Sequence, residues 1–130
     1  MIFSLAIYAA PYSSQASYTA YKFALAVLEN GHSLYRVFFY HDAIHTASSL
    51  TTPQQDEINF TDQWQAMAKA HGVDLVVCIA AALKRGLLNQ HESLRYEKPT
   101  HNLAEGFEIS GLGQLLDAAV VSDRLITFGD

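Results

Sequence analysis

The only cysteine of this 130-residue chain, Cys78, is the side chain best suited to chemistry. A thiolate is a strong nucleophile that attacks sulfur, and it needs neither a metal nor a cofactor to do so. One cysteine allows neither an intramolecular disulfide nor a Cys-x-x-Cys redox pair, and this usage is typical of a reducing compartment. The thiol is therefore either a reaction centre or, like most lone cysteines, a small apolar residue of the core.

The six histidines offer a base for a cysteine hydrolase and ligands for a metal. None of them lies in a motif that pairs it with Cys78, which disfavours a hydrolase. His41 and His45 stand four residues apart, with Asp42 beside them, and on one helical face they would form part of a metal site. The glutamate of a zincin motif is absent and no third ligand suggests itself. A polar helix start or a partner-facing surface is the preferred interpretation, and we expect no metal.

The segment after the first predicted strand lies where a nucleotide-binding fold would carry glycines. Residues 9–30 contain no glycine, which disfavours a dinucleotide site and a P-loop. The serines between Ser13 and Ser17 would still allow a phosphate or a flavin to bind there, as in a flavodoxin-like loop. This is a minor alternative, and we expect no cofactor.

Short apolar segments rich in β-formers alternate along the chain with segments of helical periodicity. The first pair is a strand over Ile2–Tyr8, ended by Pro11, and a helix over about Ser14–Asn30, ended by Gly31. Leu34–Tyr40 is dense in aromatic and branched residues and predicts a second strand, parallel to the first. These segments together form a βαβ unit.

The middle of the chain repeats this alternation. Thr52 and Gln55 resemble a capping box that opens a helix, and Gly72 closes that helix. Val73–Cys78 is then a short apolar strand, and an alanine-rich helix follows it at once. Cys78 is thus predicted where a strand passes into a helix, whose free amide groups and positive dipole end would stabilise the thiolate.

The last third of the chain is more polar. The alanine-rich helix ends in Lys84 and Arg85, which complement its dipole. Asn89–Gly106 is a long polar connection with room for a loose helical turn, and it is the candidate for a mobile loop. The remaining elements are a strand over Phe107–Ile109, a helix capped by Ser110 and a last strand over Arg124–Phe128.

Alternating strands and helices predict one domain over residues 1–130. The fold class is α/β, a three-layer α/β/α arrangement with a mostly parallel sheet of about five strands. In open sheets of this kind, ligands and reactive groups gather at the carboxyl ends of the strands. The predicted position of Cys78 is such an end, which favours a functional thiol.

The composition narrows the classes of function. Eight basic and thirteen acidic residues give a formal net charge of −5, so the chain lacks the basic footprint of a protein that binds nucleic acid directly. Half of the residues are hydrophobic and 16% are charged, which excludes disorder and predicts surface buried against a partner. The longest apolar run, Leu75–Leu83, is too short for a membrane span, and no basic residue precedes Lys22 as in a signal peptide. We expect a cytoplasmic protein.

The segments RVFFYHDAIH, VDLVVCIAAALKRG and ISGLGQL, with others along nearly the whole chain, resemble the TusD/DsrE group of small sulfur-relay proteins. The most specific is the cysteine at the end of the third strand, within VDLVVCIAAALKRG. One departure is Ala10, where family members often have glycine. The other matching segments are Pro11-Tyr12, Gln15-Ala16-Ser17, RVFFYHDAIH over Arg36–His45, LTTPQQDE over Leu50–Glu57, ISGLGQL over Ile109–Leu115 and the closing SDRLITFGD.

The resemblance implies a DsrE-like fold and a sulfurtransferase in which Cys78 accepts sulfane sulfur as a persulfide and passes it on. It implies a heterohexamer with two related small subunits, TusB- and TusC-like or DsrH- and DsrF-like. In the TusD branch, sulfur arrives from a TusA-like donor and leaves to a TusE-like acceptor, ending in the 2-thiouridine of the tRNA wobble position. In the DsrE branch, the partner is DsrC-like and the pathway is dissimilatory sulfur oxidation.

We favour the tRNA-thiolation branch, with no direct contact to nucleic acid or membrane. The segment Asn89–Gly106 would then border the thiol and gate the docking of the carrier protein. Lys84 and Arg85 would either assist that docking and the thiolate or simply complement their helix. A non-catalytic structural subunit, in which Cys78 is an inert core residue, stays open as an alternative.

Overall fold

Five strands form one sheet in the computed structural model, which describes residues 1–129. Their spatial order is β4-β3-β2-β1-β5, and every neighbouring pair is parallel. The predicted α/β fold with a mostly parallel sheet of about five strands is confirmed. The strands are β1 (Ile2–Ile7), β2 (Ser33–Phe39), β3 (Asp74–Cys78), β4 (Phe107–Ser110) and β5 (Arg124–Phe128).

Helices cover both faces of this sheet. They are α1 (Gln15–Glu29), a 3₁₀ helix (His41–Ala47), α2 (Phe60–His71), α3 (Ile79–Lys84), α4 (Gln90–Arg95) and α5 (Gly113–Val121). From β1 to β4, each strand lies next to the preceding one on the same side, so right-handed crossovers place α1 and α2 on one face of the sheet. The connection from β4 to β5 crosses the sheet in the opposite direction and places α5 on the other face. Within residues 1–129, no helix combines the length and the apolar character that a bilayer crossing requires.

The core is built mainly from aromatic and branched side chains of the strands. Phe38 and Phe39 are both fully buried and, as neighbours in β2, point to opposite faces. The Phe39 ring packs edge-on against Trp64 of α2, with 5.6 Å between the centroids. The ring of Phe3 in β1 packs against the ring of Phe23 in α1, with 6.0 Å between the centroids. Both faces of the sheet are apolar, as a parallel sheet covered on both sides requires.

The ends of α1 follow the predicted signals. The Ser14 hydroxyl accepts a hydrogen bond from the Ala16 amide at 3.2 Å and so caps the helix. Gly31 has φ of 80°, a left-handed conformation that glycine adopts at little cost, and the chain turns there into β2. The predicted βαβ unit is therefore formed by local capping as well as by apolar periodicity.

The predicted capping box at Thr52 and Gln55 is wrong. The Thr52 hydroxyl donates to the Leu50 carbonyl at 3.0 Å, so it is used in a local turn. The helix α2 begins at Phe60, and the Asn59 side chain accepts from the Asp62 amide at 3.1 Å. Burial decides this start, because a short helix is stable only where its apolar face packs, and that face begins at Phe60.

The predicted helix cap at Ser110 is also wrong. Ser110 is the last residue of β4 and pairs with Cys78 across the sheet, and α5 begins only at Gly113. Ladder pairing with β3 holds Ser110 in extended conformation, and this takes precedence over its capping propensity. In the preceding connection, the predicted helical turn is confirmed as α4, whose cap Asn89 accepts from the Glu92 amide at 2.8 Å.

One buried cation fastens α5 to the sheet. Arg36 of β2 donates to Asp74 of β3 at 2.7 Å, to Asp117 of α5 at 2.9 Å and to the Gln114 carbonyl at 2.8 Å. Hydrogen bonds from the Tyr35 hydroxyl and from Arg36 hold the pKa of Asp117 below its ordinary value. The same guanidinium therefore links two neighbouring strands and the helix that leads into β5.

Candidate functional site

Cys78 lies at the carboxyl edge of the sheet, as predicted. It is the last residue of β3, which is flanked by β2 and β4, and it occupies the N-cap position of α3. Its extended backbone (φ −63°, ψ 122°) is that of a residue which leaves a strand and enters a helix. The residue is 2% exposed, so the thiol is almost completely buried.

An ion pair fixes the two elements next to the thiol. The Arg85 guanidinium, just after α3, donates to Asp42 of the 3₁₀ helix at 2.8 Å and to the Ala81 carbonyl at 3.2 Å. The hydrogen bond from Arg85 holds the pKa of the Asp42 carboxyl below its ordinary value. Arg85 was predicted as a helix-end charge, and the contact with Asp42 emerges only from the fold. Both residues follow neighbouring strands, which is the sequence signal that could have paired them.

The two histidines predicted as possible metal ligands lie in the 3₁₀ helix. Residues three apart eclipse one another in such a helix, so His41 and His45 do not share one face as they would in an α-helix. The His41 ring packs instead against Tyr40 at 4.4 Å and Tyr8 at 5.4 Å between centroids. Among residues 1–129, no three His, Cys, Asp or Glu side chains come together in a way that would hold a metal ion.

The loop after β1 is braced against the start of α2. The Tyr12 hydroxyl donates to the Ile58 carbonyl at 2.9 Å and accepts from the Phe60 amide at 3.1 Å. The serines offered as phosphate ligands are largely used elsewhere, because Ser14 caps α1 and Ser17 is buried. Ser13 is exposed and lines a cavity of about 430 Å³ together with Tyr12 and Tyr18, so the minor alternative of a phosphate or flavin site stays a prediction.

A model of the DsrE/DsrF-like family matches residues 1–128 of this chain. The chain belongs to the DsrE/DsrF-like family. This agrees with the resemblance that the sequence motifs indicated. The family match covers every strand of the sheet and includes Cys78.

Individual relatives resemble the chain over almost its whole length. It is 48% identical over 130 residues to the DsrE protein of Allochromatium vinosum, covering all of both chains. It is 45% identical over 126 residues to a "Sulfurtransferase TusD homolog" of Vibrio vulnificus, covering 97% of this chain and 96% of the relative. The "Sulfurtransferase TusD" of Klebsiella pneumoniae is 42% identical over 128 residues, with 98% and 100% covered.

A solved structure shows the same fold. The crystal structure of the ychN protein from E. coli superposes with a TM-score of 0.75 and covers 98% of this chain and 97% of its own. The two sequences are 23% identical, so this likeness speaks for the fold alone. The DsrE-like fold is therefore confirmed from sequence relatives and from shape.

Proposed function

We propose that this chain is a sulfurtransferase of a sulfur relay, in which Cys78 accepts sulfane sulfur as a persulfide and passes it to an acceptor protein. The observation that carries the proposal is the place of the chain's only thiol, at the carboxyl end of β3, in a protein similar over its whole length to named sulfurtransferases. The function rests on the site rather than on the fold, since one fold supports many functions.

The transfer is balanced without an outside oxidant or reductant. The Cys78 thiolate attacks the terminal sulfur of a donor persulfide, so that one S–S bond forms while another breaks and the donor leaves as a thiolate. The acceptor's thiolate then attacks the terminal sulfur carried on Cys78, and the Cys78 thiolate is regenerated. No metal or cofactor takes part in either exchange.

The surroundings of Cys78 suit a carrier that must hold a labile group. Burial to 2% exposure slows the attack of water and of small thiols on a persulfide at Cys78. The contact between Asp42 and Arg85 ties α3 to the 3₁₀ helix and so keeps the backbone around the thiol in place. Docking of the donor or acceptor opens this cover further, so that exchange with the correct partner is faster than exchange with small molecules.

Two pathways fit this chemistry, and we favour tRNA thiolation. In that pathway a TusA-like donor supplies the sulfur, a TusE-like acceptor removes it, and the wobble 2-thiouridine of tRNA is the end point. The net charge of −5 supports hand-over to a protein rather than contact with the tRNA itself. The 48% identity to a DsrE protein favours a second candidate, exchange with a DsrC-like protein in dissimilatory sulfur oxidation.

Sulfur uptake by the purified chain tests the proposal. Incubation with inorganic polysulfide should add one sulfur atom to the intact mass of the wild-type chain, and a reductant should remove it. Cys78→Ser should gain no sulfur, because no other thiol exists in the sequence. If the wild-type chain and Cys78→Ser gain sulfur equally, the proposal is wrong. If the wild-type chain gains no sulfur, the result supports the alternative of a structural subunit.

The proposed assembly with two related small subunits, as a heterohexamer, has support on the surface of α5. Leu112, Leu116 and Val120 follow one another at helical spacing and are 52%, 67% and 77% exposed. Soluble monomers rarely present such a continuous apolar stripe to water. We propose that a companion subunit covers it.

The change Leu116→Glu should reduce the complex recovered after co-expression with the companion subunits about tenfold or more, because it buries an unpaired charge in the contact. The stability of the separate chain should change by no more than about 0.5 kcal/mol, since Leu116 is exposed there. Size-exclusion chromatography measures the first effect and urea unfolding the second. Ala70→Glu, at an exposed position of α2, is the matched control and should leave assembly unchanged.

A further inference from the structure

A groove of about 730 Å³ lies between the end of α3 and the end of α4. We call it the α3–α4 groove. Two leucines and a tyrosine form its apolar wall and two lysines stand beside them, so an apolar side chain and a nearby anion would both find contacts there. The lining residues are Leu83, Lys84, Gly86, Leu88, Tyr96 and Lys98.

Hydrogen bonds hold the wall of the α3–α4 groove in shape. The Asn102 side chain accepts from the Leu88 amide at 2.9 Å and donates to the Gly86 carbonyl at 3.1 Å. On the other side, the Lys98 amide donates to the Ser93 carbonyl at 2.8 Å and closes the turn after α4. The groove is therefore formed before any ligand arrives, which lowers the entropy cost of binding.

The groove lies at the opposite end of α3 from Cys78. Lys84 and Gly86 flank Arg85, whose ion pair with Asp42 holds this stretch beside the 3₁₀ helix that follows β2. Four residues of α3 lie between Cys78 and Leu83, the first residue of the groove, and the rise from Cys78 to Leu83 is about 7.5 Å at helical geometry. A few residues of extended chain span that distance.

The charge of the groove is opposite to that of the rest of the protein. Residues 84–98 contain four basic and two acidic side chains, whereas the remainder of the chain contains four basic and eleven acidic ones. Arg85 pairs with Asp42 and Arg95 lies 3.7 Å from Glu92. Within residues 1–129, Lys84 and Lys98 form no ion pair, and both are exposed at the groove. These two ammonium groups select an anionic partner.

From this geometry we propose that the α3–α4 groove docks an extended segment of the sulfur-exchanging partner protein, one that carries an apolar side chain flanked by carboxylates. The proposal rests on the proposed function, since it names the chemistry of the partner that meets Cys78. The apolar side chain packs on Leu83, Leu88 and Tyr96, and the carboxylates face Lys84 and Lys98. Docking there brings the partner within reach of the thiol.

Two short peptides test the charge and the location together. Acetyl-Glu-Leu-Gly-Leu-Glu-amide and its lysine counterpart, acetyl-Lys-Leu-Gly-Leu-Lys-amide, are titrated into the nitrogen-15-labelled full chain and followed by amide chemical shifts. The acidic peptide should bind about tenfold more tightly, because two ammonium groups attract one peptide and repel the other. The shifts should concentrate at residues 83–88 and 96–98, and the preference should weaken with added salt.

A double charge reversal, Lys84→Glu with Lys98→Glu, should invert the preference between the two peptides. The matched control, Lys22→Glu with Lys69→Glu, changes the net charge equally at exposed positions of α1 and α2 and should leave the preference as in the wild type. Equal binding of the two peptides, or a preference that survives the reversal at the groove, overturns the proposal.

Two further experiments distinguish this proposal from non-specific anion binding and from the proposed function of Cys78. Inorganic phosphate at matched ionic strength should change the chemical shifts of the same amides less than the acidic peptide does. An equal change would show that the lysines bind any anion and that the apolar wall does not contribute to binding. The variant Cys78→Ser should bind the peptides like the wild type, because the thiol does not line the groove. Peptide selectivity without sulfur uptake would contradict the proposed function while leaving the docking site intact.

Discussion

Replacing Arg36 by methionine should lower the free energy of unfolding by about 3 kcal/mol, one of the largest losses we expect from a single change in this chain. The Arg36 side chain is 8% exposed and holds Asp74 and Asp117 at 2.7 and 2.9 Å. Methionine fills part of the volume but removes the Arg36 donor from Asp74, Asp117 and the Gln114 carbonyl, and Asp117 keeps only the hydrogen bond from the Tyr35 hydroxyl. Both carboxylates are partly hydrated, so the loss is smaller than for a fully buried pair.

Urea unfolding monitored by circular dichroism measures this loss as a lower midpoint at unchanged slope. The control is Arg124→Met, because Arg124 is exposed and, within residues 1–129, its guanidinium donates only to the neighbouring Asp123 carbonyl. That variant should stay within about 0.5 kcal/mol of the wild type. A loss for Arg36→Met no larger than for the control would show that the buried contacts add nothing to the stability of the sheet.

Alkylation of Cys78 by iodoacetamide should be about 100-fold or more slower in the native chain than in the urea-unfolded chain, because the residue is 2% exposed. A carrier must nevertheless open locally. We therefore expect the native rate to depend only weakly on low urea concentrations, whereas exposure by global unfolding follows the full slope of the unfolding transition. Mass spectrometry of samples quenched over time gives the rates.

The matched control for thiol accessibility places the cysteine on the neighbouring strand. Ser110→Cys in a Cys78→Ser background moves the thiol to the paired position of β4, which is less buried, and this thiol should react faster than Cys78 in the native chain. If alkylation of Cys78 instead follows the global unfolding slope, the thiol is an inert part of the core, and the structural-subunit alternative is correct.

Prediction from the sequence was strongest where local signals and burial agree. The strands around Val37, Val76 and Ile126 are short, apolar and rich in branched residues, and each formed as expected. Prediction from the sequence was less accurate where several polar residues could cap the same helix. Thr52 and Ser110 have the chemistry of helix caps, yet one serves a turn and the other a strand ladder. Packing of the next apolar face decides between such options.

The position of Cys78 could be derived from the sequence because a strand, its end and the following helix are all local features. The surroundings of the thiol could not. The contact between Asp42 and Arg85 joins residues 43 positions apart, and the Asn102 side chain bonds to Leu88 and Gly86 at the wall of the α3–α4 groove. The sequence places Asp42 and Arg85 after two strands, but only the strand order of the folded sheet makes those strands neighbours.

The chain's apolar periodicity and its single cysteine establish a parallel α/β sheet with a thiol at the end of one strand, because these features depend on local propensity and composition. Three features depend on contacts between residues that are far apart in the sequence. They are the burial of that thiol, the attachment of α5 to the sheet by Arg36, and the basic groove beside α3. These contacts form only when the sheet is assembled, because strand order and crossover handedness bring remote segments together.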